Sequence, residues 1–139
     1  MGYFNFPRLT VLQGIYEDLA PICATRFITS RPASVPERVK EYVVIRNATG
    51  MRDRGDTYQS AKILLHVFVR DRDSESGKIE NTYRLEQLQS QICDLFPVRH
   101  PRFTASNPNI IGGGEDAGFH YLIIQLSIIV NKKSNHKKL

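Results

Sequence analysis

Two segments of this chain alternate apolar and mixed side chains far enough to dictate a β-sheet. Ala61, Ile63, Leu65, Val67 and Val69 fall on one face, with Lys62, Leu64, His66, Phe68 and Arg70 on the other. Leu122, Ile124, Leu126, Ile128 and Val130 share a face in the second, with Tyr121, Ile123, Gln125, Ser127 and Ile129 opposite. A period of two marks a half-buried strand, so the spacing predicts strands over 60–70 and 119–130. An apolar face backed by a mixed one suits a strand lying under a helix or facing a neighbouring subunit. The apolar run Tyr42-Val43-Val44-Ile45 predicts a strand over 39–46, joined to 60–70 as a hairpin. Arg102-Phe103-Thr104-Ala105 predicts a short fourth strand.

Two stretches step by three and four instead. Leu9, Leu12, Tyr16, Leu19 and Cys23 predict a helix over about 7–20, with Pro7 near its start and Pro21 ending it. Leu85, Leu88, Ile92 and Leu95 predict a second over about 80–95, with Asn81 or Thr82 as N-cap. The segment 26–36, with Pro32 and Pro36, reads as a connection. Asp71 to Gly77 reads as a charged turn. Asn47–Gln59 and Asn107–Asp116 read as long polar or glycine-rich loops, the second carrying Pro108 and Gly112-Gly113-Gly114. The expected fold is α+β: a mainly antiparallel four-stranded sheet, two helices packed on one face, in the order α-β-β-α-β-β. At 139 residues one domain is expected, residues 1–130, followed by a disordered basic tail over 131–139.

Composition removes several classes. Two cysteines, Cys23 and Cys93, exclude a disulfide scaffold and a cysteine zinc site. They read as reduced core cysteines at the helix ends, able to approach each other if the helices pack. The longest apolar stretch, Leu122–Val130, is broken by Gln125 and Ser127 and is far short of the ~20 residues of a membrane helix. The opening residues Met1–Phe6 lack the basic start and apolar core of an export leader. The net charge of +5 suggests a nucleic-acid partner, but Lys132, Lys133, Lys137 and Lys138 carry most of it. Without them, 15 basic and 14 acidic residues leave a body charge of +1. Such a tail suits either solubility or non-specific contact with DNA phosphates.

No group of residues has the spacing of a catalytic or metal site. His66 and His120 lie on different predicted strands, and no third ligand at metal spacing accompanies them. The glycine run lacks the lysine and hydroxyl of a phosphate loop. Glu17-Asp18, Asp71 with Asp73, and Glu115-Asp116 read as solvated charge. Arg46, Arg52 and Arg54, interleaved with Asp53 and Asp56, suit either a solvated loop or salt bridges to another subunit or protein. No catalytic residue, cofactor, metal or small-molecule substrate is expected.

The strand Pro36-Glu-Arg-Val-Lys-Glu-Tyr-Val-Val-Ile45, its polar loop, the strand Ala61-Lys-Ile-Leu-Leu-His-Val-Phe-Val-Arg-Asp71, the amphipathic helix and the final long strand form a familiar layout. Over roughly residues 9–130 it resembles the small head–tail connector proteins of tailed bacteriophages: tail terminator, tail-completion or neck proteins. The resemblance is one of element order, length and texture. It implies a structural, non-enzymatic virion protein, assembled in the bacterial host cytoplasm. Its subunits would close into a homo-oligomeric ring, commonly a hexamer, at the head–tail junction or tail end. Portal, neck or tail-tube proteins would adjoin it, and the basic tail would face the DNA channel. The loops 47–59 and 107–118 would be arms reaching a neighbour. The competing expectations are a small nucleic-acid-binding module using the basic tail with Arg46, Arg52 and Arg54, and a small enzyme.

Overall fold

The computed structural model describes residues 8–49, 52, 53, 55 and 57–131. The chain runs α1 (Arg8–Asp18), β1 (Arg26–Ile28), β2 (Glu41–Asn47), β3 (Arg52–Asp53), β4 (Tyr58–Arg70), β5 (Arg72–Ser74), β6 (Gly77–Ile79), α2 (Thr82–Leu95), β7 (Val98–Arg99), β8 (Phe103–Asp116) and β9 (Phe119–Asn131). Six strands form one sheet in the order β1-β2-β4-β9-β8-β7, and β3 pairs with the start of β4. β1 runs parallel to β2, and every other pairing is antiparallel. β5 and β6 make a separate hairpin.

This mixed sheet replaces the expected four-stranded antiparallel one. Three readings account for the difference. The connection 26–36 contains β1, too short to show a period. The charged turn 71–77 is the first arm of the β5–β6 hairpin. Most of the glycine-rich loop 107–118 is strand: β8 pairs with β9 as far as Asp116↔Phe119. Only Ala117 and Gly118 remain as the turn, both at positive φ (49° and 87°). That is the two-residue primed turn whose twist matches a hairpin.

Both helices sit on one face and share one core with it. Val11, Leu12, Ile15, Leu19 and Cys23 of the α1 region and Leu85, Leu88 and Ile92 of α2 are buried there. The strands add the alternating sets Ile63/Leu65/Val67 and Ile124/Leu126/Ile128. The buried stripe of α1 is rotated from the expected one: Leu9 is 61% exposed, and Val11 and Ile15 take the core positions. Past Asp18 the chain continues in turns, Ile22 and Cys23 both donating to the Leu19 carbonyl, before Thr25. Asn81 caps α2, its side chain accepting from the Arg84 amide at 3.3 Å. Arg84 also forks onto both oxygens of Glu41 at 2.7 Å, fixing the first turn of α2 against the start of β2.

The opposite face carries a smaller aromatic core. Tyr42, Val44, Phe68 and Phe119 are buried, with Val35 and Val39 packed on them. Tyr42 stacks on Phe68 at 4.5 Å, and Phe119 meets Tyr42 edge-on at 5.2 Å. Arg70 lies over the Phe119 ring at 4.4 Å. The segment before β2 therefore roofs one end of this face.

Candidate interaction surface

β9 needs a partner on each side for its backbone groups, and β4 and β8 supply them along its length. The outer side of β8 is different. β7 covers only Thr104 and Ala105, and no strand among the described residues pairs with 106–116 on that side. Ile110 and Ile111 stand 39% and 48% exposed there. From Ile110 to Gly114 the strand carries neither charge nor proline. Such an edge is a template for another chain.

The glycines shape this strand. A Cβ on Gly113 would lie 2.7 Å from the Tyr121 carbonyl oxygen, and one on Gly114 would lie 2.9 Å from the Tyr121 hydroxyl. The close approach of β9 thus requires glycine at 113, and the Tyr121 ring takes the space over 114. The register shifts between Ser106 and Asn109 and again between Ile110 and Gly112. Asn107, at φ 54°, sits at the first shift. These are one-residue bulges that bend the strand.

Acidic residues expected to be solvated are engaged at the ends of the sheet. His120 Nδ1 donates to Asp71 at 2.6 Å, and its Nε2 lies 3.6 Å from Glu115 and 4.0 Å from Glu80. The hydrogen bond to Asp71 is the main cause that raises the His120 pKa above the usual histidine value. His100 Nε2 donates to Asp18 at 2.8 Å, and Arg31 reaches Asp116 at 2.9 Å. These pairs join residues 49 to 85 positions apart. Spacing along the chain gives no sign of them; the strand predicted over 119–130 was the available clue to His120 alone.

His66 and His120 do lie on paired strands, but His66 faces the aromatic side and pairs with Ile123, whereas His120 pairs with Val69 on the helix side. Burial first, then the charge of Arg46, lowers the His66 pKa. Its Nε2 is buried without a hydrogen-bond partner. Burial, then Glu41, pushes the Cys23 thiol up to about 11, which keeps it protonated and unreactive. Burial also raises the Cys93 thiol, and neither cysteine is in a disulfide.

The proposed arginine cluster is not brought together as one loop. Arg46 lies on β2 near His66, while Arg52 and Asp53 form β3, paired with Ser60 and Gln59. Arg54 and Asp56 lie outside the described residues. So do Lys132, Lys133, Lys137 and Lys138; Asn131, assigned to the tail, is instead the last residue of β9.

A second surface feature borders α1. A groove of about 570 Å³ runs between Leu9, Gln13, Gly14 and Glu17 on the helix and the turn His100–Phe103. Gly14 lets the Phe103 ring approach: a Cβ there would lie 2.9 Å from Phe103 Cζ. His100 stacks on Phe103 at 4.3 Å and extends the aromatic wall.

Compared with models of protein families and with curated proteins, the chain shows no significant match.

Proposed function

We propose that this chain is a structural virion protein of a tailed phage or prophage. In this reading its copies form a ring at the head–tail junction or tail end, in the manner of tail terminator, completion or neck proteins. The role is architectural, not catalytic, and portal, neck or tail-tube proteins are its neighbours. The observation that carries the reading is the bare outer edge of β8 over 106–116, with Ile110 and Ile111 exposed on it. An edge whose stretch 110–114 carries no charge, beside apolar side chains, is a surface that assembly covers. The opposite edge of the sheet, β1, is three residues long and parallel. In the ring reading the β8 edge meets a different patch of the next copy, a head-to-tail contact that forms a ring where its rotation closes.

Light scattering on a sizing column across a range of concentrations, with negative-stain imaging of the peak, tests this. A closed ring is expected, and Ile110→Lys with Ile111→Lys should reduce it to smaller species while the fold persists. A chain that stays monomeric at every concentration, or stops at a two-fold dimer, overturns the reading.

A further inference from the structure

We propose that the charged cleft between the segment before β2 and the β5–β6 hairpin holds backbone phosphates of a nucleic acid without reading its bases. The inference goes beyond the ring reading and does not depend on it. The cleft has a volume of about 760 Å³. The segment 37–41 forms one wall, the end of β4 and the hairpin form the other, and Asn81 and Arg84 of the α2 start close one end. Six basic and four acidic side chains line it.

The acids are nearly all engaged. Arg84 forks onto Glu41 at 2.7 Å, Lys78 holds Asp73 at 2.6 Å and His120 holds Asp71 at 2.6 Å. Arg70 is engaged in bracing the walls. Its side chain donates to the Val39 and Pro36 carbonyls at 3.1 and 3.3 Å, and its amide donates to the Lys40 carbonyl at 2.8 Å. The walls also feel each other's charge. Lys78 is the main cause that lowers the Asp73 carboxyl, through its hydrogen bond, and Lys40 adds to it from the facing wall. What remains is Arg38, Lys40 and Arg72, all exposed, whose side chains make no hydrogen bond or ion pair among the described residues. Glu37 is the one acid of the cleft in the same position. Three free cations on one cleft repel one another, and an anion that joins them relieves that repulsion. A sum over the chain hides this arrangement, since the body of the chain carries only +1.

The side chains narrow the class of anion. Guanidinium groups take phosphate oxygens in pairs, and a lysine adds a point charge. No aromatic side chain lines the cleft among the described residues, so nothing there stacks on a base. Exposed cations hold a single phosphate or carboxylate weakly, because water screens each of them. On a nucleic acid the same contacts release condensed counterions, and the gain adds along the strand. That difference selects a nucleic-acid backbone over free phosphate or an acidic peptide.

The test is binding of a short fluorescent DNA duplex to full-length chains, followed by anisotropy across a salt series. Arg38→Gln, Lys40→Gln and Arg72→Gln together should weaken binding at least about tenfold at low salt and flatten the salt slope by about 2–3. All three side chains are exposed, so the thermal midpoint should hold. Arg46→Gln, Arg52→Gln and Arg99→Gln remove the same charge elsewhere and should leave most of the affinity. The loss from the cleft substitutions should persist when Lys132→Gln, Lys133→Gln, Lys137→Gln and Lys138→Gln remove the charge of the tail. Duplexes of unrelated sequence should bind alike. Equal affinity in the cleft variant and the distant variant overturns the proposal, as does an unsubstituted chain that binds no duplex. A strong preference for one sequence overturns it too. So does a cleft that takes inorganic phosphate, read by phosphorus NMR line width, but no duplex.

Discussion

β4 and β8 flank the same strand, run antiparallel to it and are 13 and 14 residues long, yet they live in different solvents. β4 has a neighbour on both sides, helices over one face and the aromatic cluster at one end of the other. Its alternate residues Ile63, Leu65 and Val67 are fully enclosed. β8 is enclosed only at Phe103 and Ala105, and from Asn109 onward its side chains are exposed on both faces. Equal pairing with β9 therefore gives unequal burial. Hydrogen-bond ladders set the position of a strand, but the layers above and below decide what it contributes to stability.

The largest expected effect separates the two strands directly. Leu65→Ala should cost about 2–5 kcal/mol in denaturant unfolding, since it opens a cavity in the enclosed core. Ile111→Ala should stay within about 0.5 kcal/mol in the isolated chain, because that side chain is already half in water. Similar losses at both sites would erase the distinction. Next in size is a contrast within β8. Gly113→Ala drives a methyl against the Tyr121 carbonyl and should cost about 1–3 kcal/mol. Gly112→Ala meets only the Ile123 side chain at 3.8 Å and should be neutral or stabilise by up to about 1 kcal/mol through the unfolded state. Equal effects at the two glycines would show that the close approach of β9 is not what holds position 113.

The smallest effects come from the two histidines and read the two faces by pH. The hydrogen bond to Asp71 raises His120, so the folded chain keeps that proton to higher pH than the unfolded chain, whose histidines titrate near about 6.5. Its contribution is complete below that value and is lost as pH rises through the folded pKa. Burial and Arg46 lower His66, so its contribution is present above the unfolded value and is lost as pH falls through the folded one. Urea unfolding across this range should show His120→Gln flattening the alkaline side and His66→Gln the acid side. Unchanged slopes in either variant would remove that histidine from the account.

What the sequence makes legible follows the same division. The helices and the long strands were legible because their burial is one-sided, which writes a period into the residues. The α2 stripe Leu85, Leu88 and Ile92 is buried as spaced. The α1 stripe was misplaced because Val11 and Ile15 lie so close to it that two faces of the helix look equally apolar, and only packing selects one. β8 is hidden in the sequence because Pro108 and three glycines argue against a strand. At an edge those objections lapse: proline needs no partner for its missing N–H, and glycine admits the close approach of a neighbour. β1 and the β5–β6 hairpin were missed because three residues contain no measurable period. The candidate arginine loop failed for a related reason. Proximity in sequence placed Arg46 with Arg52, whereas the strand that holds Arg46 faces it toward His66.

The paired bulges of β8 also act as a parity count. Before the first, even-numbered residues share a face with Ser127 and Ile129; between the two, Asn109 takes that face; after the second, Gly112, Gly114 and Asp116 recover it. One slip reverses which way the strand looks, and the second reverses it back. Phe103 and Ala105 at one end and Asp116, held by Arg31, at the other are thereby kept in phase. Each bulge absorbs one residue without moving the pairing on either side, so deleting one residue at either shift straightens the ladder there and leaves Phe103 and Asp116 on their faces. The bulges are therefore the two places in β8 where length can change one residue at a time, which the regular ladder around them does not allow.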